Sequence, residues 1–163
     1  MSALRAGRVY VNIHTAANPA GEIRGQVDIV DKQEVTMRAG QEIPKPKGVS
    51  RKAKGGFTTT VTRSGLATQM RWRLGWFSLT SRVTAAHLHI GARGKAGAVI
   101  VFLCGTKKVP CKNNRGGVTL LSAAQAQALE KGNIYVNIHT VKNPAGEVRG
   151  QLRPARLWLR ALG

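Results

Sequence analysis

Acidic residues are scarce in this chain. Its 163 residues include 7 Asp and Glu against 26 Lys and Arg, so the formal net charge at pH 7 is +19. No acidic residue lies between Glu42 and Glu130. Such a surface attracts polyanions, although a solvated basic loop is the simpler interpretation. The densest basic run predicts a basic patch formed by Lys45, Lys47, Arg51, Lys52 and Lys54.

Aromatic residues are also few, at 5% of the chain. Nucleic-acid modules usually interleave exposed aromatic residues with basic ones or carry a recognisable motif, and neither feature is evident, so nucleic acid is not the favoured partner. No apolar run approaches the roughly 18 residues that a transmembrane helix needs. The first ten residues also lack the apolar stretch of a signal peptide.

The residue patterns of an enzyme are missing. The sequence shows no nucleophile with a general base beside it, no paired carboxylates and no phosphate-binding loop. The glycine-rich stretch 91–94 is predicted to be a turn rather than a nucleotide fingerprint, because no helix pattern follows it. These absences predict a non-catalytic protein.

Cysteine is limited to Cys104 and Cys111, which six residues including a glycine and a proline separate. A turn can bring two α-carbons within about 7 Å, the distance that a disulfide requires. A zinc finger or ribbon needs four ligands at other spacings. We therefore predict a Cys104–Cys111 disulfide and an oxidising compartment. Two free thiols in a cytosolic protein are the alternative.

One segment occurs twice. Residues 4–27 read LRAGRVYVNIHTAANPAGEIRGQV and residues 129–152 read LEKGNIYVNIHTVKNPAGEVRGQL, at an offset of 125 residues. That spacing is domain-sized, since solenoid repeats recur every 20–50 residues. We predict the terminal hairpin of a preceding domain copy over 1–30, a complete domain over 31–152 and a basic tail over 153–163. Because Met1 falls beside the first copy, we expect a fragment that lacks its signal peptide.

Apolar and polar residues alternate with the period of two that is typical of β-strands, which predicts a mainly β protein. One helix is predicted after Ser122, where Gln125 completes a capping box and Gly132 is placed to end the helix. A long loop is predicted over 40–55. The apolar run 98–103 is predicted to be nearly buried on both faces. The predicted strands are 57–63, 68–74, 83–90, 98–103, 117–120, 134–140 and 147–152.

Several strings together resemble the CHRD domain, which is named for chordin. They are YVNIHT followed by NPAGE and RGQ, AAHLHIGARGKAG, AGQEIP, and the loop from LCG to the second cysteine. The resemblance covers 31–152, with 4–27 as the end of a preceding copy. It implies an immunoglobulin-like or Greek-key β-sandwich in secreted or cell-surface proteins, here all-β with one short helix before the C-terminal hairpin. Chordin sequesters bone morphogenetic proteins, and most other members have no assigned activity.

Three histidines offer a candidate metal site. His87 and His89 lie two apart in a predicted strand, so both point to one face, and His139 lies on the polar face of the last hairpin. A His-x-His strand with a third His nearby is an arrangement that binds zinc or copper. The string also looks like the copper-ligand strand of Cu,Zn superoxide dismutase, whose remaining ligands are missing. Alternatively, these rings hydrogen-bond to carbonyls or to Glu147 and hold strands together.

The last hairpin presents further polar residues on the same face as His139. Cross-strand polar pairs contribute about 0.2–1 kcal/mol each, and such a ladder commonly joins the strands of an exposed sheet face. A buried network is the alternative interpretation. This predicted polar hairpin face consists of Asn137, Glu147, Arg149 and Gln151.

The N-terminal hairpin carries the apolar face of a core element. A lone hairpin is marginal in water, so that face must be buried somewhere. We expect it either to extend a sheet of its own domain or to pair with a neighbouring chain, which would give self-association. The apolar residues are Val9, Val11, Ile13, Ile23 and Val27.

These features favour a non-catalytic secreted or cell-surface binding or structural module without a required cofactor. The expected ligand is a protein or an acidic polysaccharide. One alternative is a metal-binding, dismutase-like protein that holds zinc or copper on the three histidines. The other is a basic polyanion binder for RNA or acidic polysaccharide.

Overall fold

The computed structural model describes residue 3, residues 8–64 and residues 66–155. Strands dominate this part of the chain, and the one α-helix, α1 (Ala123–Glu130), comes before the last hairpin, so the all-β prediction is confirmed. A short 3-10 helix, Ala39–Gln41, lies in the predicted long loop. The strands are β1 (Tyr10–Ile13), β2 (Ile23–Gln26), β3 (Ile29–Arg38), β4 (Lys54–Ser64), β5 (Ala67–Phe77), β6 (Val83–Ile90), β7 (Val99–Cys104), β8 (Arg115–Leu121), β9 (Ile134–Thr140) and β10 (Val148–Gln151).

Strands β3 to β10 form one sheet in the order β7-β6-β9-β10-β3-β4-β5-β8. The sheet curves into a near-barrel, in keeping with the predicted sandwich-like class. Its longest antiparallel ladder joins β3 to β4, from Ile29 opposite Arg63 to Arg38 opposite Lys54. The β9–β10 hairpin lies between β6 and β3, so the last strands of the domain are central in the sheet.

The core lies on the inner face of this sheet. Strand β3, which was not among the predicted strands, alternates strictly between buried and exposed residues. Burying a large apolar side chain contributes about 1.5–3 kcal/mol, so these residues dominate the stability of the fold. The fully buried apolar side chains include Met37, Phe57, Met70, Leu74, Leu88 and Ile138.

The predicted helix and its cap are confirmed. Ser122 Oγ accepts a hydrogen bond from the backbone N–H of Gln125, and the Gln125 side chain accepts one from the backbone N–H of Ser122. Gly132 follows the helix with a φ of +71°, and its N–H donates to Leu129 O. Glycine adopts this left-handed conformation without the penalty of a Cβ.

The prediction that residues 98–103 are buried on both faces is wrong. Strand β7 is at the edge of the sheet and pairs only with β6 among the described residues. Val99 and Phe102 are 41% and 58% exposed. An apolar run indicates a strand, but it does not reveal whether other residues pack against both faces of that strand.

The N-terminal hairpin is a separate two-stranded sheet. Tyr10 pairs with Gln26 and Ile13 with Ile23, and within the described residues neither β1 nor β2 joins the eight-stranded sheet. The prediction that the hairpin extends a sheet of its own domain is therefore wrong. Val11 is 58% exposed and Ile23 is 61% exposed. Pairing with a neighbouring chain stays a prediction.

The ends of the predicted domain are visible in part. The first strand of the eight-stranded sheet begins at Ile29, two residues before the predicted domain start. Of the predicted basic tail, residues 153–155 are described, and Arg153 Nη1 lies 3.1 Å from the buried Asp31 carboxylate. Residues 156–163 lie outside the described residues.

Candidate functional site

Three of the four residues of the predicted polar hairpin face are buried, and Gln151 is half-buried. Asn137, Glu147 and Arg149 are 2%, 0% and 1% exposed. Two loops lie against this outer face of the sheet: Lys47 N–H donates to Asn143 Oδ1, and Gln151 Nε2 donates to Gly91 O. Of the two interpretations of this face, the structure shows the buried network. Its buried polar groups are hydrogen-bonded, as buried polar groups in proteins usually are.

Glu147 is fully engaged in holding the hairpin. Its carboxylate accepts hydrogen bonds from the backbone N–H of Thr80 at 2.7 Å, from the hydroxyls of Thr80 and Thr140 at 2.6 Å, and from Asn143 Nδ2 at 3.3 Å. The predicted contact between Glu147 and the histidines is not formed. This carboxylate therefore fixes the β9–β10 turn against the segment before β6.

Arg149 lies on an aromatic ring. Its guanidinium carbon is 3.4 Å from the ring centroid of Tyr135, and the Tyr135 ring stacks on His89 with centroids 4.7 Å apart. Arg149 Nη2 donates to Ala92 O and to Gln151 Oε1, both at 3.2 Å. Burial lowers the pKa of Arg149 from its usual value.

Glu42 belongs to this network and was missed by the sequence analysis. It is 2% exposed, and burial raises its pKa to about 7. The carboxyl lies so close to Gly146 that a Cβ there would come within 2.5 Å of Oε2. An isolated acidic residue in a basic loop is the available signal. Its carboxylate accepts from the adjacent Ile43 N–H, but Gly146 and Arg149, which it also approaches, are more than 90 residues away in the sequence.

The three predicted histidines come together. Strands β6 and β9 place His87 opposite Asn137 and Ala85 opposite His139. His87 and His89 are 9% and 7% exposed, and His139 is half-buried. One nitrogen from each ring lies within 4.8 Å of the others. The structure thus forms the cluster that the spacing predicted.

Backbone carbonyls orient two of these rings. His89 Nδ1 lies 2.9 Å from Gly97 O, and His139 Nδ1 lies 2.9 Å from Pro144 O. A carbonyl oxygen can only accept, so each Nδ1 carries the hydrogen and, in a neutral ring, each Nε2 carries a lone pair. The predicted hydrogen bonds from histidine to carbonyls are therefore present.

The other ring nitrogens face one another and one amide. His139 Nε2 lies 3.1 Å from His87 Nδ1 and 3.0 Å from Asn137 Oδ1. His89 Nε2 lies 3.1 Å from the same Asn137 oxygen. Among the described residues His87 Nε2 is buried without a hydrogen-bond partner.

Burial keeps the three rings uncharged. Burial, together with the neighbouring His139 and His89, lowers the pKa of His87 to about 4. Burial also lowers the pKa values of His89 and His139 from their usual value. Neutral imidazole is the form that binds a metal ion, so the cluster offers nitrogen ligands at neutral pH.

The repeat equivalent of His139 keeps the same local contact. His14 Nδ1 lies 2.9 Å from Pro19 O, as His139 Nδ1 does from Pro144 O. His14 is exposed and is not part of the three-histidine cluster. The shared turn sequence therefore orients the ring of His14 and that of His139 in the same way. The three-histidine cluster also needs His87 and His89, which strand β6 supplies.

The basic residues lie on a different part of the sheet. All five members of the predicted basic patch are exposed. Lys54 begins β4 and joins this patch to exposed bases on β3 and β5. We call this second set the basic strand face, and it consists of Lys32, Arg38, Lys54, Arg71 and Arg73.

The predicted disulfide is present. Cys104 at the end of β7 is bonded to Cys111, with α-carbons 4.9 Å apart. Cys104 is fully buried, and the bond closes the loop between the two edge strands. Structural disulfides are typical of oxidising compartments.

The architecture places the chain among all-β, sandwich-like domains. A family model for the CHRD domain matches residues 1–27 and 34–152, and the chain belongs to this family. Membership supports a non-enzymatic binding or structural module in general, and such domains are typically extracellular. Neither the curated proteins nor the solved structures gave a match. No helix in the described part of the chain has the length and apolarity of a membrane span.

Proposed function

We propose that this protein is a non-catalytic module of secreted or cell-surface proteins and that its basic strand face binds an acidic polysaccharide. The observation that carries the proposal is the pairing of Arg38 with Lys54, which lie directly opposite each other on β3 and β4. Like charges in such a position destabilise a sheet. A bound anionic group offsets this repulsion.

The face has the dimensions of an extended chain-binding surface. Lys32, Thr60 and Arg71 form one cross-strand row. Because neighbouring strands are about 4.8 Å apart, the two cations stand about 10 Å apart with a hydroxyl between them. Lys32 and Arg38 are six residues apart on β3, which is about 20 Å at 3.3–3.4 Å per residue. Repeated sulfate or carboxylate groups on a polysaccharide can contact bases along this length.

The charges of the face are not neutralised by the protein. Within the described residues the ion pairs are Arg63 with Glu130 and Arg153 with Asp31, and neither involves the basic strand face. Glu34 is the acidic residue that β3 exposes on this face. A polyanion therefore meets several unpaired cations, and the attraction depends on salt.

The expected extracellular location of the domain favours polysaccharide over nucleic acid as the ligand. The family is typically extracellular, and the Cys104–Cys111 disulfide is consistent with that location. Acidic polysaccharides are the abundant polyanions outside cells. Nucleic-acid binding is the competing outcome of the experiment below.

Heparin affinity with charge-neutral variants tests the proposal. We expect Arg38→Gln with Lys54→Gln to weaken heparin binding roughly three- to tenfold, because exposed ionic contacts contribute about 0.2–1 kcal/mol each. The dependence of log affinity on log salt should become shallower by nearly two charges. Lys107→Gln with Lys108→Gln is the matched control, since both lysines are exposed and the net charge changes equally.

Two results would contradict the proposal. An equal loss of affinity in the control would show that net charge alone attracts heparin. Tighter binding of single-stranded RNA than of heparin at the same salt concentration would identify nucleic acid as the polyanion.

A further inference from the structure

We propose that His87, His89 and His139 bind one transition-metal ion of the zinc or copper class. This site is separate from the basic strand face and does not depend on the polysaccharide proposal. It uses a His-x-His strand, β6, and one residue of the neighbouring strand, β9. Both strands are central in the sheet, which is a rigid support for a ligand set.

The nitrogen spacing fits a small metal ion. Metal–nitrogen bonds of about 2.0–2.1 Å in tetrahedral geometry place two ligand nitrogens about 3.3 Å apart. His87 Nδ1 and His139 Nε2 are already 3.1 Å apart. All three ligand atoms lie within 4.8 Å of one another, so small rotations of the rings bring the third nitrogen into place.

The surroundings of two rings are those of metal ligands. A ligating histidine usually donates its other ring N–H to a carbonyl or carboxylate, which fixes the tautomer and the ring orientation. Gly97 O and Pro144 O accept from the Nδ1 atoms of His89 and His139. The Nε2 lone pairs of both rings consequently point into the cluster.

The cluster contains polar atoms that the protein does not satisfy. Both Nε2 lone pairs face Asn137 Oδ1, which is also an acceptor. A cation among the rings removes the repulsion between acceptors. In the metal-free arrangement the Asn137 amide is reversed so that Nδ2 donates to His89 Nε2, and His87 Nδ1–H donates to His139 Nε2. Metal titration distinguishes this arrangement from a bound ion.

The ligand type selects the metal. Three imidazoles suit zinc and copper, whereas calcium and magnesium prefer oxygen ligands. The two cysteines are joined in the disulfide, so they supply no thiolate. Three protein ligands leave a further coordination position, and the half-buried His139 places it near the surface.

Metal titration of the whole chain is the first experiment. The protein is treated with a chelator, the chelator is removed, and Zn²⁺ and Cu²⁺ are titrated separately by calorimetry. We expect one ion per chain with an affinity in the micromolar range or tighter. The electron paramagnetic resonance spectrum of the Cu²⁺ form should show nitrogen hyperfine splitting from imidazole. The proposal would be overturned if neither Zn²⁺ nor Cu²⁺ bound stoichiometrically.

Single-histidine variants locate the ion. We expect His89→Ala and His139→Ala each to weaken binding at least roughly tenfold, in line with the loss of a ligand or its support. His14→Ala is the matched control because it removes a histidine from the same turn sequence outside the cluster. Retention of full affinity in His89→Ala, or an equal loss in His14→Ala, would refute the assignment.

Folding is checked independently of the metal. Circular dichroism and an intact Cys104–Cys111 bond report that each variant is folded. If an alanine variant unfolds, His139→Gln keeps a polar side chain of similar size at the same position. The wild-type stoichiometry and copper spectrum decide the existence of the site in any case.

Discussion

Glu42 is a buried carboxyl whose protonation is linked to folding. Its pKa is raised to about 7 by burial, against 4.5 for an ordinary Glu. The folded protein therefore holds a proton that the unfolded chain releases between these values, so this stabilisation is complete below about pH 4.5 and is lost as the pH rises through about 7. The pH range in which this residue acts is thus set by its environment.

We expect Glu42→Gln to remove this pH dependence. Relative to the variant, the wild-type free energy of unfolding should fall by roughly 2–3 kcal/mol between pH 4.5 and 7.5, since one pKa unit corresponds to about 1.4 kcal/mol. Urea denaturation at several pH values, with a chelator present, measures the difference. A difference that stays constant with pH would contradict the account.

The two copies of the repeated segment allow a comparison between identical residues. A Cβ on Gly150 would lie 2.5 Å from Val35 Cγ1, whereas one on Gly25 would meet nothing within 4 Å. Overpacking a tight core costs about 1–3 kcal/mol. We therefore expect Gly150→Ala to destabilise the protein by that amount and Gly25→Ala to change stability by less than about 0.5 kcal/mol. Thermal or urea denaturation of both variants provides the test, and equal effects would contradict the described packing.

Residue spacing predicted which histidines share a face but not what covers them. His87, His89 and His139 follow from period-two alternation in two adjacent strands. Glu42 and the carbonyl of Gly97 come from loops, and their approach to the sheet depends on long-range packing that no local pattern records. The sequence therefore identified the three ligand candidates and missed much of their surroundings.

Helix α1 illustrates an element whose ends are encoded locally. The capping box of Ser122 and Gln125 satisfies backbone donors that the first turn leaves free. We expect Ser122→Ala to lower the free energy of unfolding by about 1 kcal/mol. Gln127→Ala, at an exposed position within the helix, is the control and should have little effect. Chemical denaturation measures both, and an unchanged Ser122→Ala variant would show that the cap contributes nothing.

Strand positions in the sheet were less predictable than the strands themselves. Alternation correctly marked β4 and β5, which each have one buried and one exposed face over most of their length. Strand β3 alternates in the same way but was not among the predicted strands. Alternation failed for β7, because edge position depends on which strands become neighbours. The connection of β9–β10 between β6 and β3 likewise joins strands that are far apart in sequence.

At the scale of the whole molecule, the hairpin and the eight-stranded sheet are distinct hydrogen-bonded units. Removing residues 1–27 leaves every strand of the large sheet intact, since β3 begins at Ile29. We expect the shortened chain to unfold within about 0.5 kcal/mol of the full chain, as for changes outside a core. Urea denaturation with light scattering measures stability and mass together. A large loss of stability would show that the hairpin packs on the domain, and a change in mass would reveal self-association.

The register of the large sheet limits where the N-terminal hairpin can go. In the sheet Arg149 lies opposite Arg38, and the offset of the repeat makes Arg24 the counterpart of Arg149. Strand β3 from Ile29 to Arg38 is about 30 Å long, but the five residues from Arg24 to Ile29 reach at most about 18 Å. The tether is too short for the hairpin to replace β9–β10 in its own molecule. Any such replacement must therefore occur between molecules. Reciprocal exchange of hairpins closes a pair, whereas one-way repetition of the contact builds an open head-to-tail chain.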